Sequence, residues 1–142
     1  CFAFGGARSH DIRSGIIRAE KFASKKLTGK EVERWNVEGK EFRVNHISWW
    51  EQEMPEQMEM ERGLAMLEDE KHQVDFIFSH DCPSSDKVFI LRTNEPDELN
   101  KYFEYIKQHI DYKKWFFGHY HENMAIPGGK DFLLYEQIVR IH

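Results

Sequence analysis

Two stretches of this 142-residue chain end an apolar run at a histidine: Val74-Asp75-Phe76-Ile77-Phe78-Ser79-His80 and Trp115-Phe116-Phe117-Gly118-His119-Tyr120-His121. Neutral imidazole is a common metal ligand, and strands that deliver imidazoles at their ends build metal pockets at the rim of a sheet. Gly118 lets the backbone come close to a bound group. With one residue between them, His119 and His121 place both rings on the same side if the segment is extended. Three nitrogen ligands then converge on one cavity. Such a site should lose its metal in acid, where the imidazoles take up protons. Asp81 directly follows His80 and is placed to orient a ligand from behind, or equally to cap the turn before Pro83.

Three further clusters carry reactive side chains. Gly5-Gly6-Ala7-Arg8-Ser9-His10-Asp11 crowds polar groups into one loop after an apolar run. It reads as a loop bordering the site, with Arg8 available to a phosphate, or as a surface turn. In Ser48-Trp49-Trp50-Glu51-Gln52-Glu53 the adjacent tryptophans cannot share one face of a strand. One packs, while the other lines a cleft or meets a partner. Cys82, two residues from His80, invites a nucleophile. The loop after it, Pro83-Ser84-Ser85-Asp86-Lys87, lacks the arginine of a phosphate cradle, so Cys82 reads as structural.

The elements that must position these groups follow from periodicity. Residues 1 to 4 read as a short strand stopped by Gly5-Gly6. Residues 15 to 40 have no strong period and suit an exposed insertion with a helical turn near Thr28 to Trp35. Phe42 to Ile47 reads as a strand with Phe42, Val44 and His46 on one face. Residues 55 to 72 form an amphipathic helix, with Pro55 at its first position and Met60, Leu64 and Leu67 at helical spacing. It hands over to a buried strand at Val74 to Ser79. A second strand is expected at Lys87 to Leu91, then a helix from Pro96 to Ile110 with Asn94 as N-cap and a stripe of Leu99, Phe103, Ile106 and Ile110. Lys114 to Phe117 is the next strand, and Phe132 to Ile141 closes a terminal hairpin. Strands alternating with helices indicate an α/β fold, in which ligands gather beyond the carboxyl ends of the strands.

Composition bounds the partners. The length suits one domain with a real core, and 14% aromatic residues argue against disorder. A net charge of −5 makes a nucleic-acid partner unexpected, since blanket phosphate neutralisation needs a basic surface. A phosphorylated substrate is still compatible, because bound cations reverse the local field. No apolar stretch approaches membrane-span length and no signal peptide is visible. Two cysteines, Cys1 and Cys82, suggest no disulfide scaffold, so a cytoplasmic setting is expected. Cys1-Phe2-Ala3-Phe4 reads as the body of a strand without an initiator Met. The chain is therefore expected to be the later part of a longer protein, its site divided at the cut.

Taken in order, four stretches resemble the calcineurin-like metallophosphoesterases. They are Gly5 to Asp11, Ser48 to Glu53, Val74 to Pro83, and Gly118-His119-Tyr120-His121, which matches that family's Gly-His-x-His motif. Together they span most of the chain. The resemblance implies a β-sandwich flanked by helices, with the amino-terminal strands missing, so that residues 1 to 142 form the carboxy-terminal part of one domain with an insertion at about 15 to 40. It implies that His80 and His119 bind one metal of a dinuclear centre and His121 the other. Arg8, Ser9, Asp11, Trp49 and Trp50 would lie near the substrate, and Asp81 behind the ligands. The family's Asp-x-His, Gly-Asp-x-x-Asp and Gly-Asn-His-Asp or Glu motifs do not occur in this chain. The catalytic acid would therefore also lie upstream.

The implied reaction is hydrolysis of a phosphate ester with two divalent ions drawn from Mn, Fe, Zn or Ni. Phosphoproteins, nucleotides and phosphodiesters all remain open as substrates. Partial metal occupancy and negligible turnover are expected of this chain without its missing amino-terminal half. The alternatives are a non-catalytic degenerate homologue or interaction module, and a mononuclear zinc-binding protein.

Overall fold

Gln73–Ser79 and Asp111–Phe117 form the two longest strands, because both carry bulky apolar side chains that can be buried on a sheet. The computed structural model describes residues 1–18, 25–92 and 95–141. It divides into two units, Cys1–Ala7 with Met54–His142, and Arg8–Glu53.

In the first unit the strands are β1 (Phe2–Phe4), then β4 (Gln73–Ser79), β5 (Asp111–Phe117), β6 (Met124–Ala125) and β7 (Asp131–Leu133), numbered along the whole chain. They form one sheet in the order β1-β4-β5-β7-β6. All neighbours run parallel except β6 against β7, so the sheet is mixed. Ile77 pairs with Trp115 in register, and both are fully buried. Helices α2 (Gln57–Asp69) and α4 (Glu98–His109) add Leu67, Leu99, Phe103 and Ile106 to the same core. Each such side chain contributes roughly 1.5–3 kcal/mol of burial. The alternate residues Phe78, Phe116 and Phe132 are also in register and stack in a row across β4, β5 and β7. Neighbouring strand residues point to opposite faces, so this row lies on the other side of the sheet from Ile77 and Trp115.

The expected stripe of α4 is buried as read, but its start differs. Asp97 is the N-cap, accepting from Leu99 N and Asn100 N at 3.0 and 3.1 Å. Asn94 lies outside the described residues. Helix α2 begins at Gln57 rather than Pro55, behind a reciprocal Glu56–Glu59 capping box.

One expected strand is a helix. Lys87 to Leu91 belongs to α3 (Ser84–Leu91), which follows extended Pro83 and ends at left-handed Arg92. A four-residue apolar run has no periodicity of its own to separate strand from helix. What decides is the polar side of the element. In α3, Asp86 meets Lys107 at 2.5 Å and Lys87 donates to Asn100 Oδ1 at 2.6 Å, which ties the helix to α4. The last strand is likewise shorter than expected: pairing stops at Leu133, and the hairpin is β6 with β7.

The second unit holds β2 (Gly15–Ile17), α1 (Lys25–Val37) and β3 (Phe42–Val44), with β2 and β3 parallel. Ile17 and Val44 are buried, and Trp35 meets the Phe42 ring edge-on at 5.3 Å. The unit contains the 15 to 40 stretch, whose helix is longer than one turn and whose three-residue strand is too short to give a period. Strand β3 ends at Val44 because His46 turns left-handed at φ 58° and Val44 O takes the amides of Ile47, Ser48 and Trp49. His46 therefore does not share a strand face with Phe42 and Val44. The fold is mixed α/β, and no described helix is long and apolar enough to cross a membrane.

Candidate metal site

Strands β4 and β5 are adjacent and parallel, so their carboxyl ends fall side by side. Phe78 pairs with Phe116, which brings His80 opposite Gly118, and Gly118 N donates to His80 O at 3.1 Å. The rings of His80 and His119 then meet edge to face with centroids 5.2 Å apart. A methyl group on Gly118 would rest 3.5 Å from Leu134 O and 4.0 Å from His80 O, so the backbone approach here is ordinary contact.

The segment after Gly118 is not extended. His119 and His121 both take left-handed backbone, at φ 74° and 51°. The spacing argument that set both rings on one side assumed a strand and does not hold here. The His121 ring instead stacks on Tyr135 with centroids 5.0 Å apart and planes within 30°. Among the described residues no group of three or more His, Cys, Asp or Glu side chains is assembled for a metal ion. What the fold brings together is the pair His80 and His119. Their two imidazoles suit one borderline divalent cation as a partial ligand set.

Behind the pair is a buried polar knot. Asp81 Oδ1 accepts from Cys82 N at 2.7 Å and from Tyr120 OH at 2.6 Å. Asp81 Oδ2 is buried with no hydrogen-bond partner. The carboxylate therefore braces Tyr120 and holds the Cys82 amide; its place in the sequence allowed either orienting a ligand from behind or capping the turn before Pro83. Ser79 Oγ donates to Asp81 O and accepts from Trp115 Nε1 at 2.7 Å, which adds a second link between the two strand ends. Burial drives the Tyr120 phenol far above its ordinary range, so its proton stays in place to donate. Burial also raises the Cys82 thiol strongly, and the side chain is fully buried. A thiol kept protonated is a poor nucleophile, which agrees with a structural role.

The remaining candidates belong to the Arg8–Glu53 unit. Arg8 is exposed, and Ser9 Oγ donates to Glu53 Oε2 at 2.5 Å. Asp11 is held by Arg43 through both guanidinium nitrogens Nε and Nη2, one at 2.9 Å. The Arg43 hydrogen bond keeps the Asp11 carboxyl below the usual range, and the same bond raises Arg43. Trp49 is half-buried and bridges to Asn45, while Trp50 is 44% exposed. Arg43 and Glu53 are partners that sequence reasoning did not single out. Their contacts span 32 and 44 residues, a distance over which spacing carries no signal.

Compared with protein-family models, curated proteins and solved structures, the chain gives no match.

Proposed function

We propose that this chain carries part of the metal site of a metal-dependent phosphoesterase of the calcineurin-like kind. The observation that supports this best is the pairing of His80 with His119, whose rings are 5.2 Å apart at the ends of adjacent parallel strands. In this reading His80 and His119 hold one divalent ion and His121 contributes to a second. The ions, when bound, would orient the phosphoryl group, lower the pKa of bound water and neutralise developing charge. The chain's own part is to hold imidazoles at the carboxyl ends of two central strands. It supplies no acid or base to the reaction. The proposed substrate class is a phosphate ester. The row of Phe78, Phe116 and Phe132 supports the sandwich, since it is the face that a second sheet would cover. Two free cysteines support a reducing compartment.

The lack of a described three-ligand group favours a partial site over a mononuclear zinc protein. Titration of the chain with Mn²⁺, Co²⁺ and Zn²⁺ by calorimetry tests this. Weak binding is expected, abolished by His119→Ala, with no turnover of p-nitrophenyl phosphate. Tight stoichiometric zinc would favour the mononuclear protein. Turnover by this chain alone would overturn the partial-site reading.

A further inference from the structure

Besides the Gly118 N–His80 O bond, the two histidine-bearing loops are joined from underneath by a side-chain link between Tyr120 and Asp81. Tyr120 lies between His119 and His121, both left-handed, so the chain turns twice around it. Non-glycine residues rarely adopt that conformation and hold it only when surrounding contacts over-determine it. The contact that can do so is visible: Tyr120 packs against the buried core and donates to Asp81 Oδ1 at 2.6 Å. Asp81 is fully buried and immediately follows His80. One hydrogen bond therefore ties the residue next to His80 to the residue next to His119.

We infer that Tyr120 and Asp81 are positioning residues that set the separation of His80 and His119, so that the two imidazoles are pre-arranged as a pair before any cation arrives. This rests on the metal-site reading above for its purpose, but not for its geometry. Tyr120 acts on the site through the backbone it anchors, together with its edge contact to the His119 ring at 5.0 Å. Preorganised ligands bind metal more tightly because less ordering remains to be done, and groups behind the ligands commonly matter by about 10–100-fold in affinity.

The substitutions that separate this from general packing are Tyr120→Phe, Asp81→Ala and Asp81→Asn. Phenylalanine keeps the ring but loses the donor. Alanine removes the acceptor. Asparagine keeps an oxygen that can accept from Tyr120 and should restore the wild-type behaviour. The first measurement is the nuclear Overhauser effect between the His80 and His119 rings in the metal-free chain. It is expected in the wild type and in Asp81→Asn, and lost in Tyr120→Phe and Asp81→Ala. The methyl signals of buried Leu67 and Ile106 should stay native in every variant, as the check on folding. The second measurement is Co²⁺ binding followed by its visible d–d absorption. Tyr120→Phe should bind at least about tenfold more weakly, with an altered spectrum. A ring–ring effect that persists in folded Tyr120→Phe overturns the proposal. So does Asp81→Asn behaving like Asp81→Ala. If the ring–ring effect responds as expected but wild-type chain binds no Co²⁺, the metal-site reading fails and the positioning role stands.

Discussion

Lys107 sits between two buried carboxylates, 2.5 Å from Asp86 Oδ1 and 2.7 Å from Asp131 Oδ2. Tyr112 OH donates to Asp131 Oδ1 at 2.8 Å, so Asp131 has two donors, whereas Asp86 Oδ2 is buried without one. One ammonium brings a single positive charge against two carboxylates. Burial pushes Asp86 up to about 6 despite Lys107, with the Asp131 and Glu104 charges adding to the rise, while the two carboxylates raise Lys107. Because the folded value of Asp86 lies above its unfolded value, its contribution to stability is greatest below about pH 4 and is lost as pH rises through about 6. Asp86→Asn imitates the protonated form. It should therefore stabilise the chain relative to wild type more at pH 8 than at pH 5, by on the order of 1–3 kcal/mol, in thermal melts at the two pH values. An equal difference at both would show that Asp86 does not change charge between them. None of this network was legible in the sequence, because its members lie far apart along the chain and none belongs to a motif. The histidines were legible because each ends an apolar run. Their left-handed backbone was not, since Gly-His-x-His spacing says nothing about φ.

Helix α2 meets β1 and α4 at one glycine. A methyl group on Gly63 would run into Tyr102 Oη and lie 3.1 Å from the Phe4 ring. Alanine in a helix interior ordinarily gains about 1 kcal/mol over glycine, whereas overpacking costs about 1–3 kcal/mol. Gly63→Ala should therefore destabilise the chain, by about 1 kcal/mol net. The Tyr102 hydroxyl is buried without a partner, and burial raises the phenol to about 12. Tyr102→Phe removes both that orphan and the obstruction, so it should be neutral or stabilising alone and should rescue Gly63→Ala. A denaturant double-mutant cycle reads the coupling, and purely additive effects would contradict the clash. At this scale the sequence was most legible where apolar positions recur every three or four residues over ten or more residues, as in α2 and α4. It failed at Val88-Phe89-Ile90-Leu91, where four apolar residues look alike in either element. The choice there is made by Asp86 and Lys87, through partners on α4.

Across the whole molecule, pairing is concentrated in the centre of one sheet. Strands β4 and β5 have seven residues each and partners on both sides, whereas β6 has two and lies at an edge. Local opening is easiest where few buried contacts hold the backbone. Native-state hydrogen exchange should therefore be slowest in the paired amides of β4 and β5 and faster in β6 and in β2 with β3. Equal protection in β2 and β5 would contradict this ranking. The α/β class was readable from the order of elements, because parallel strands need helical crossovers. The division into Cys1–Ala7 with Met54–His142 and Arg8–Glu53 was not, since the sequence carries no composition break at Ala7 or Met54. The strand order at the far edge was also hidden. β7 lies between β5 and β6 although β6 precedes it in the chain. The loop from Gly118 to Asn123 thus crosses two interstrand spacings, about 10 Å, over the end of a strand made only afterwards. Leu134 N closes onto Phe117 O at 2.8 Å and Tyr135 N onto Asn123 Oδ1 at 2.8 Å, holding that loop from the far side. The consequence is one of timing. As the chain leaves the ribosome, the residues that carry His119 and His121 emerge before the strand that props them, so this corner is completed only when the last hairpin has docked.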